Sequence, residues 1–105
     1  MIKKRIIGSI IIKDGIAVQS IAFKNYQPLG RAKYLIENLN NWEVDEIFIN
    51  CIDRSLNNLG PNFKLLKHIG ELNIATPIIY CGGIRNKEDA INIIRLGADR
   101  ISIEN

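Results

Sequence analysis

Residues 76–105 read TPIIYCGGIRNKEDAINIIRLGADRISIEN, and this stretch decides the fold. Pro77 to Cys81 is a short apolar run with a proline at its mouth, the pattern of a buried strand. Gly82-Gly83 ends the run with backbone that can approach another group closely. Asn86 can cap a helix, with Asp89 three residues on in a capping-box-like spacing. Ala90, Ile91, Ile94 and Leu96 supply that helix with an apolar stripe. Gly97 stands where a left-handed C-cap belongs, and Asp99 to Ile103 is a second strand. The order strand, glycine turn, helix, glycine, strand is a βαβ unit, which implies parallel strands and a right-handed crossover.

Outward from this unit the same alternation continues. A helix is expected from about Asn62 to Leu72, with Phe63, Leu66, Ile69 and Leu72 as its stripe. Asp53 to Asn62, with Gly60-Pro61, reads as a loop. Asp45-Glu46 precedes a strand over Ile47 to Cys51. A helix from Arg31 to Trp42 carries Ala32, Leu35, Ile36, Leu39 and Trp42 on one face. Lys24 to Gly30 is a loop carrying Pro28. Lys4 to Ile12 is β-branched and nearly continuous in apolar residues, as expected of a strand covered on both faces. Asp14-Gly15 after it is a hairpin signal, with Ile16 to Phe23 as the return arm. Four main strands alternate with three helices, and a β-excursion follows strand one. Val44-Asp45-Glu46-Ile47 and Ala98-Asp99-Arg100-Ile101 hint at an internal repeat. Periodicity alone leaves open a sandwich with helices on both sheet faces and a barrel segment with all helices outside.

The 105 residues suffice for a single domain over residues 1–105. Lysines and arginines are scattered despite the net charge of +3, which argues against a nucleic-acid surface. The longest apolar run, Ile6 to Ile12, is too short to span a bilayer. Lys3-Lys4-Arg5 leads into a strand-like run and no cleavage site, so a cytoplasmic chain with reduced Cys51 and Cys81 is expected. Both cysteines end strands and read as buried packing. Nothing has metal-ligand spacing, and no metal or cofactor is expected. His68 falls off its helix stripe, as a surface residue would. Tyr34, Trp42 and Phe63 read as packing residues.

Lys4-Arg5-Ile6-Ile7, Lys13-Asp14-Gly15, Asp45-Glu46-Ile47, Cys81-Gly82-Gly83-Ile84 and Leu96-Gly97-Ala98-Asp99-Arg100-Ile101-Ser102-Ile103 together resemble one family, the HisF cyclase subunit of imidazole glycerol phosphate synthase. Each motif is weak alone, but together, at these spacings, they are fairly specific. The resemblance covers the chain in order. It implies the N-terminal (β/α)4 half of a TIM (β/α)8 barrel, since a complete barrel needs about 250 residues. Such a half is either a fragment or must associate, with a second copy or with a C-terminal half, to hide the open edges of its first and fourth strands. The implied reaction uses ammonia from a glutamine amidotransferase partner to close an imidazole ring on a bis-phosphorylated ribonucleotide. Chemistry is expected at the C-terminal ends of the strands.

The resemblance is uneven at the site. Where the family carries a catalytic Asp in strand one, this chain has Ile11, which can neither give nor take a proton. The family's Lys after the hairpin becomes Gln19, and the Asp ending its second strand becomes Cys51. No catalytic residue is therefore assigned, and the chain alone is expected to be weak or inactive. Gly82, Gly83 and Asn105 stand at phosphate-binding positions, with Glu104 beside Asn105; a tight βα turn explains the glycines equally. Arg5, Glu46 and Arg100 match a charged ammonia gate at the strand N-termini, although charged residues also flank strands as solvated ion pairs. Asp99 matches an acidic residue of the glutaminase-docking face. The replaced Asp and the Phe23-Lys24-Asn25 stretch also look like HisF-like subunits that conduct ammonia into amidation of a surface sugar. A non-catalytic half-barrel scaffold is the third alternative.

Overall fold

In a computed structural model, residues 5–21, 25–57 and 59–103 are described. The excursion and first helix come first: β1 (Ile7–Lys13), β2 (Ile16–Ile21), β3 (Asn25–Gly30) and α1 (Ala32–Asn41). Then follow β4 (Glu46–Cys51), α2 (Ile52–Leu56), α3 (Phe63–Leu72), β5 (Ile78–Cys81), α4 (Lys87–Leu96) and β6 (Arg100–Ser102). They form one six-stranded sheet in the order β3-β2-β1-β4-β5-β6. β1, β4, β5 and β6 run parallel, whereas β2 and β3 are antiparallel.

The register sorts the side chains into two faces. Ile7 pairs with Glu46, Ile11 with Asn50, Phe48 with Ile79, and Ile79 with Arg100. Strand alternation puts these on one face and Ile10, Ile12, Ile47, Ile49, Cys51, Ile78 and Tyr80 on the other. The second set lies in the core, joined there by Ile36 of α1, Leu66 and Ile69 of α3, and Ile93 of α4. All three long helices thus cover the same face. This is the barrel arrangement, (β/α)4 with its helices outside, and it excludes the two-sided sandwich. Ile7 on the first face is exposed, and Ile11, Phe48 and Ile79 are half-buried. β1 is therefore covered on one face and not on both, because four parallel strands do not close a ring over the other.

Two elements lie in segments that read as loops. Asn25–Gly30 is a strand, so the excursion is a three-stranded meander. Pro28 is tolerated there because β3 is an edge strand that needs no second row of amide donors. The meander also changes the open edge. β2 takes the outer side of β1 at Ile11 to Lys13, so on that side the sheet ends at β3 and not at strand one, while the fourth parallel strand, β6, is an open edge as expected. Asp14-Gly15 makes the expected two-residue turn with both φ positive, 53° and 77°. The second surprise is α2, one short turn directly after Cys51.

Helix ends follow the sequence more closely than helix faces do. The Asn86 Oδ1 accepts the Asp89 N–H at 2.8 Å. Asp89 returns its carboxylate to the Arg85 N–H at 3.1 Å, one residue outside a strict capping box. The Arg85 side chain pairs with the same carboxylate at 3.0 Å and holds its pKa below the usual range. Gly97 ends α4 at φ 135° and ψ −5°, outside the left-handed helical values. The α4 stripe is shifted in phase: Asp89 and Ile93 are buried, whereas Ile91 and Ile94 are exposed. Trp42 is 75% exposed and Tyr34 is also exposed, against the expectation that they pack. Trp42 follows the last turn of α1, where the chain swings toward β4.

Candidate functional site

At the N-terminal end of the sheet, Arg5, Glu46 and Arg100 are brought together. The Glu46 Oε1 lies 2.7 Å from Arg5 Nη2 and 3.4 Å from Arg100 Nη1. The Glu46 side chain is 6% exposed, whereas the arginines are 59% and 66% exposed. One buried carboxylate is thus capped by two cations, Arg5 from just before β1 and Arg100 from β6, two strands away on the other side. Glu46 belongs to the inward-facing set of β4 and Arg100 to that of β6, so strand parity alone aims both heads at the sheet's open face. The arrangement is a buried anion with two solvent-exposed cations over it.

Asp99 has an intramolecular task. Its N–H donates to the Ile78 carbonyl at 2.8 Å while its Oδ2 accepts the Ile78 N–H at 2.8 Å. Asp45 does the same to Ile6, at 2.9 and 2.7 Å. Each clamp sets a strand in register with its parallel neighbour. The two clamps are the physical content of the repeated Asp-Glu-Ile and Asp-Arg-Ile openings. The repeat was the signal for them; the clamp itself was not readable from spacing.

The C-terminal end of the sheet is neutral at its first ring. Ile11 is half-buried, opposite Asn50 of β4 and Val18 of β2. Gln19 lies in β2 opposite Gln27 of β3. Cys51 is buried on the helix side, where burial pushes its thiol pKa up to about 12 and so keeps it protonated. The Tyr80 hydroxyl lies beside that thiol and accepts the Asn62 N–H at 2.8 Å. Burial, with the neighbouring Cys51, raises the Tyr80 pKa as well.

Gly82 and Gly83 are buried beneath the segment between α2 and α3. A Cβ on Gly83, at φ 75°, would stand 2.2 Å from the Gly60 carbonyl oxygen, and one on Gly82 2.5 Å from the Cys51 carbonyl oxygen. Close backbone approach accounts for both glycines. That segment is itself gathered by Arg54, whose guanidinium donates to the carbonyls of Leu59, Gly60 and Pro61 at 3.2, 2.8 and 3.2 Å. Arg54 and Tyr80 went unrecognised as site-building residues, since neither carries a motif. Asn105 and Glu104 lie outside the described residues. Among the described residues no group of histidine, cysteine or acidic side chains could hold a metal ion. No helix among them is long and apolar enough to cross a membrane. His68 is exposed and 3.7 Å from Glu71; both line a groove of about 570 Å³ with Arg31, Lys33 and Leu72.

Comparison with known proteins bears on this geometry. A family model described as "Histidine biosynthesis protein" matches residues 5–105. A Vibrio vulnificus protein provisionally named imidazole glycerol phosphate synthase subunit hisF2 is 40% identical over 103 residues, 98% of this chain and 38% of that protein. The imidazole glycerol phosphate synthase subunit HisF of Thermococcus gammatolerans is 37% identical, over 98% of this chain and 40% of its own. HisF of Buchnera aphidicola subsp. Schizaphis graminum is 36% identical with the same coverage, 98% and 40%. The chain therefore spans about two fifths of the length of these curated relatives.

Proposed function

This chain belongs to the histidine biosynthesis protein family, and from that premise we propose that it supplies the N-terminal half of a HisF-type, ammonia-using subunit. The observation that carries the reading is the Arg5–Glu46–Arg100 cluster, in which Arg5, just before β1, and Arg100 of β6 meet at one carboxylate oxygen of Glu46 on β4. A buried anion under two exposed guanidiniums is a device that can open without unfolding anything. It suits a gate through which a small neutral molecule such as ammonia passes into the sheet's inner face. The partner delivering ammonia would be a glutamine amidotransferase seated at this end, near Asp99. The acceptor would be a phosphorylated ribonucleotide at the opposite end, with Gly82, Gly83 and Asn105 toward its phosphate.

A specific observation favours the second reading, ammonia conduction into a different amidation such as that of a surface sugar. Ile11 and the un-ionised Cys51 leave the ends of β1 and β4 without the family's carboxylates. Ring closure needs a group that moves protons, and neither residue provides one. The test is ammonium-dependent turnover of the formimino ribonucleotide by this chain and by the Ile11→Asp variant. Turnover near that of a complete barrel by the unaltered chain would refute the altered-site reading. Little or none, with glutaminase binding retained, supports ammonia conduction. Absence of both would leave the half-barrel scaffold.

A further inference from the structure

We infer that Asp53 is the carboxylate of the C-terminal mouth, and that its Oδ1 accepts an O–H or N–H hydrogen from the bound ligand. The inference rests on the reading of that end as a phosphosugar or ribonucleotide site. Asp53 is only 7% exposed. Its Oδ2 accepts the Asp14 N–H of the hairpin turn at 3.1 Å, which fixes the carboxylate between the ends of β1 and β4. Its Oδ1 is buried and has no hydrogen-bond partner among the described residues. Native proteins seldom leave a buried acceptor unmatched, because its desolvation is then uncompensated. The cation next to it in sequence does not relieve it: the Arg54 side chain is spent on the carbonyls of Leu59, Gly60 and Pro61.

Position gives this oxygen its meaning. Asp53 follows Asn50 by three residues, and Asn50 pairs with Ile11 across β1 and β4. The two places where the family resemblance leads one to expect a carboxylate, Ile11 and Cys51, hold none. Asp53 lies two residues beyond Cys51, tethered to the turn that follows Ile11. An ionised carboxylate only accepts, so it repels a phosphate and selects a donor. The matching group on a phosphorylated ribosyl ligand is a sugar hydroxyl, with the phosphate held elsewhere.

The experiment compares the full chain with Asp53→Asn, which keeps an acceptor for the Asp14 N–H. Binding of ribose 5-phosphate and of inorganic phosphate is followed by calorimetry, and melting of the free chain by circular dichroism. Losing a charged hydrogen bond should weaken ribose 5-phosphate about tenfold or more and leave inorganic phosphate unchanged. The free variant should melt higher, since an unmatched buried charge is gone. Unchanged ribose 5-phosphate affinity in the variant overturns the inference. If the unaltered chain does not bind ribose 5-phosphate, the phosphosugar reading of the site fails and the inference falls with it. Weaker binding by a variant that also melts lower than the unaltered chain makes Asp53 an anchor of the hairpin and overturns the inference.

Discussion

Replacing Tyr80 by Phe should loosen the C-terminal mouth by a calculable amount. Tyr80 is fully buried, so its ring contributes packing that Phe preserves. Only the hydroxyl is lost. That hydroxyl accepts the Asn62 N–H at 2.8 Å and lies beside the Cys51 thiol. Without it, Asn62, which caps α3 with its own Oδ1 on the Leu65 N–H at 3.0 Å, keeps an unmatched amide. A stranded donor in a partly buried place costs about 1–3 kcal/mol, and the thiol contact adds little. The expected loss is about 2 kcal/mol, a fall in Tm of about 8–16 °C for a chain of this size. Urea unfolding followed by circular dichroism measures the first quantity. Hydrogen exchange at the Asn62 amide measures the second consequence, since its protection should drop with the bond. A loss below about 0.5 kcal/mol with Asn62 protection unchanged would refute the reasoning, because surface-like substitutions fall in that range.

Arg5→Ala should cost less than about 1 kcal/mol, because the side chain is largely exposed and Arg100 still reaches Glu46. Coupling to an ammonia-supplying partner should suffer more than stability does; an equal loss of both would favour a solvated ion pair. Gly83→Ala should cost about 3 kcal/mol or more in urea unfolding, from the positive φ and the Gly60 carbonyl together, whereas Gly15→Ala, at φ 77° with open space around it, should cost about 1 kcal/mol. Similar losses at the two glycines would show that backbone conformation alone matters. The Cys51 thiol ionises more readily unfolded than folded, so its contribution is present below pH 9.0 and is lost as pH rises toward about 12. Tyr80 acts in the same direction. Urea midpoints between pH 8 and pH 11 should fall less steeply for Cys51→Ala; equal slopes would contradict a buried neutral thiol.

The parallel strands were legible because each is an apolar run bounded by charged residues or glycine. The Asn86 cap was legible because local spacing fixes it. What escaped was set by tertiary context. The α4 stripe slipped in phase because Ile91, Ile93 and Ile94 are all apolar, and only Ile93 meets the sheet. β3 escaped because Pro28 and its polar neighbours argue against a strand, and only an edge position makes them acceptable. The resemblance placed Arg5, Glu46 and Arg100 at strand starts, but did not show that the two arginines share one Glu46 oxygen.

The two ends of the sheet differ in how they hold charge. At the N-terminal end, a buried acid is capped by cations that solvent can reach, so the cluster can rearrange at little cost. At the C-terminal end, the polar groups are locked: Arg54 on three carbonyls, Tyr80 on Asn62, and the glycines against Gly60 and Cys51. A rigid mouth and a more exposed base are what the proposed passage of a small molecule below and binding of a larger one above would require. Asp53 is the exception in the rigid half, the buried side-chain oxygen left unmatched among the described residues. If the mouth were only structural, that oxygen would be a cost without a return. The Asp53→Asn comparison therefore bears on the whole reading as well as on one residue.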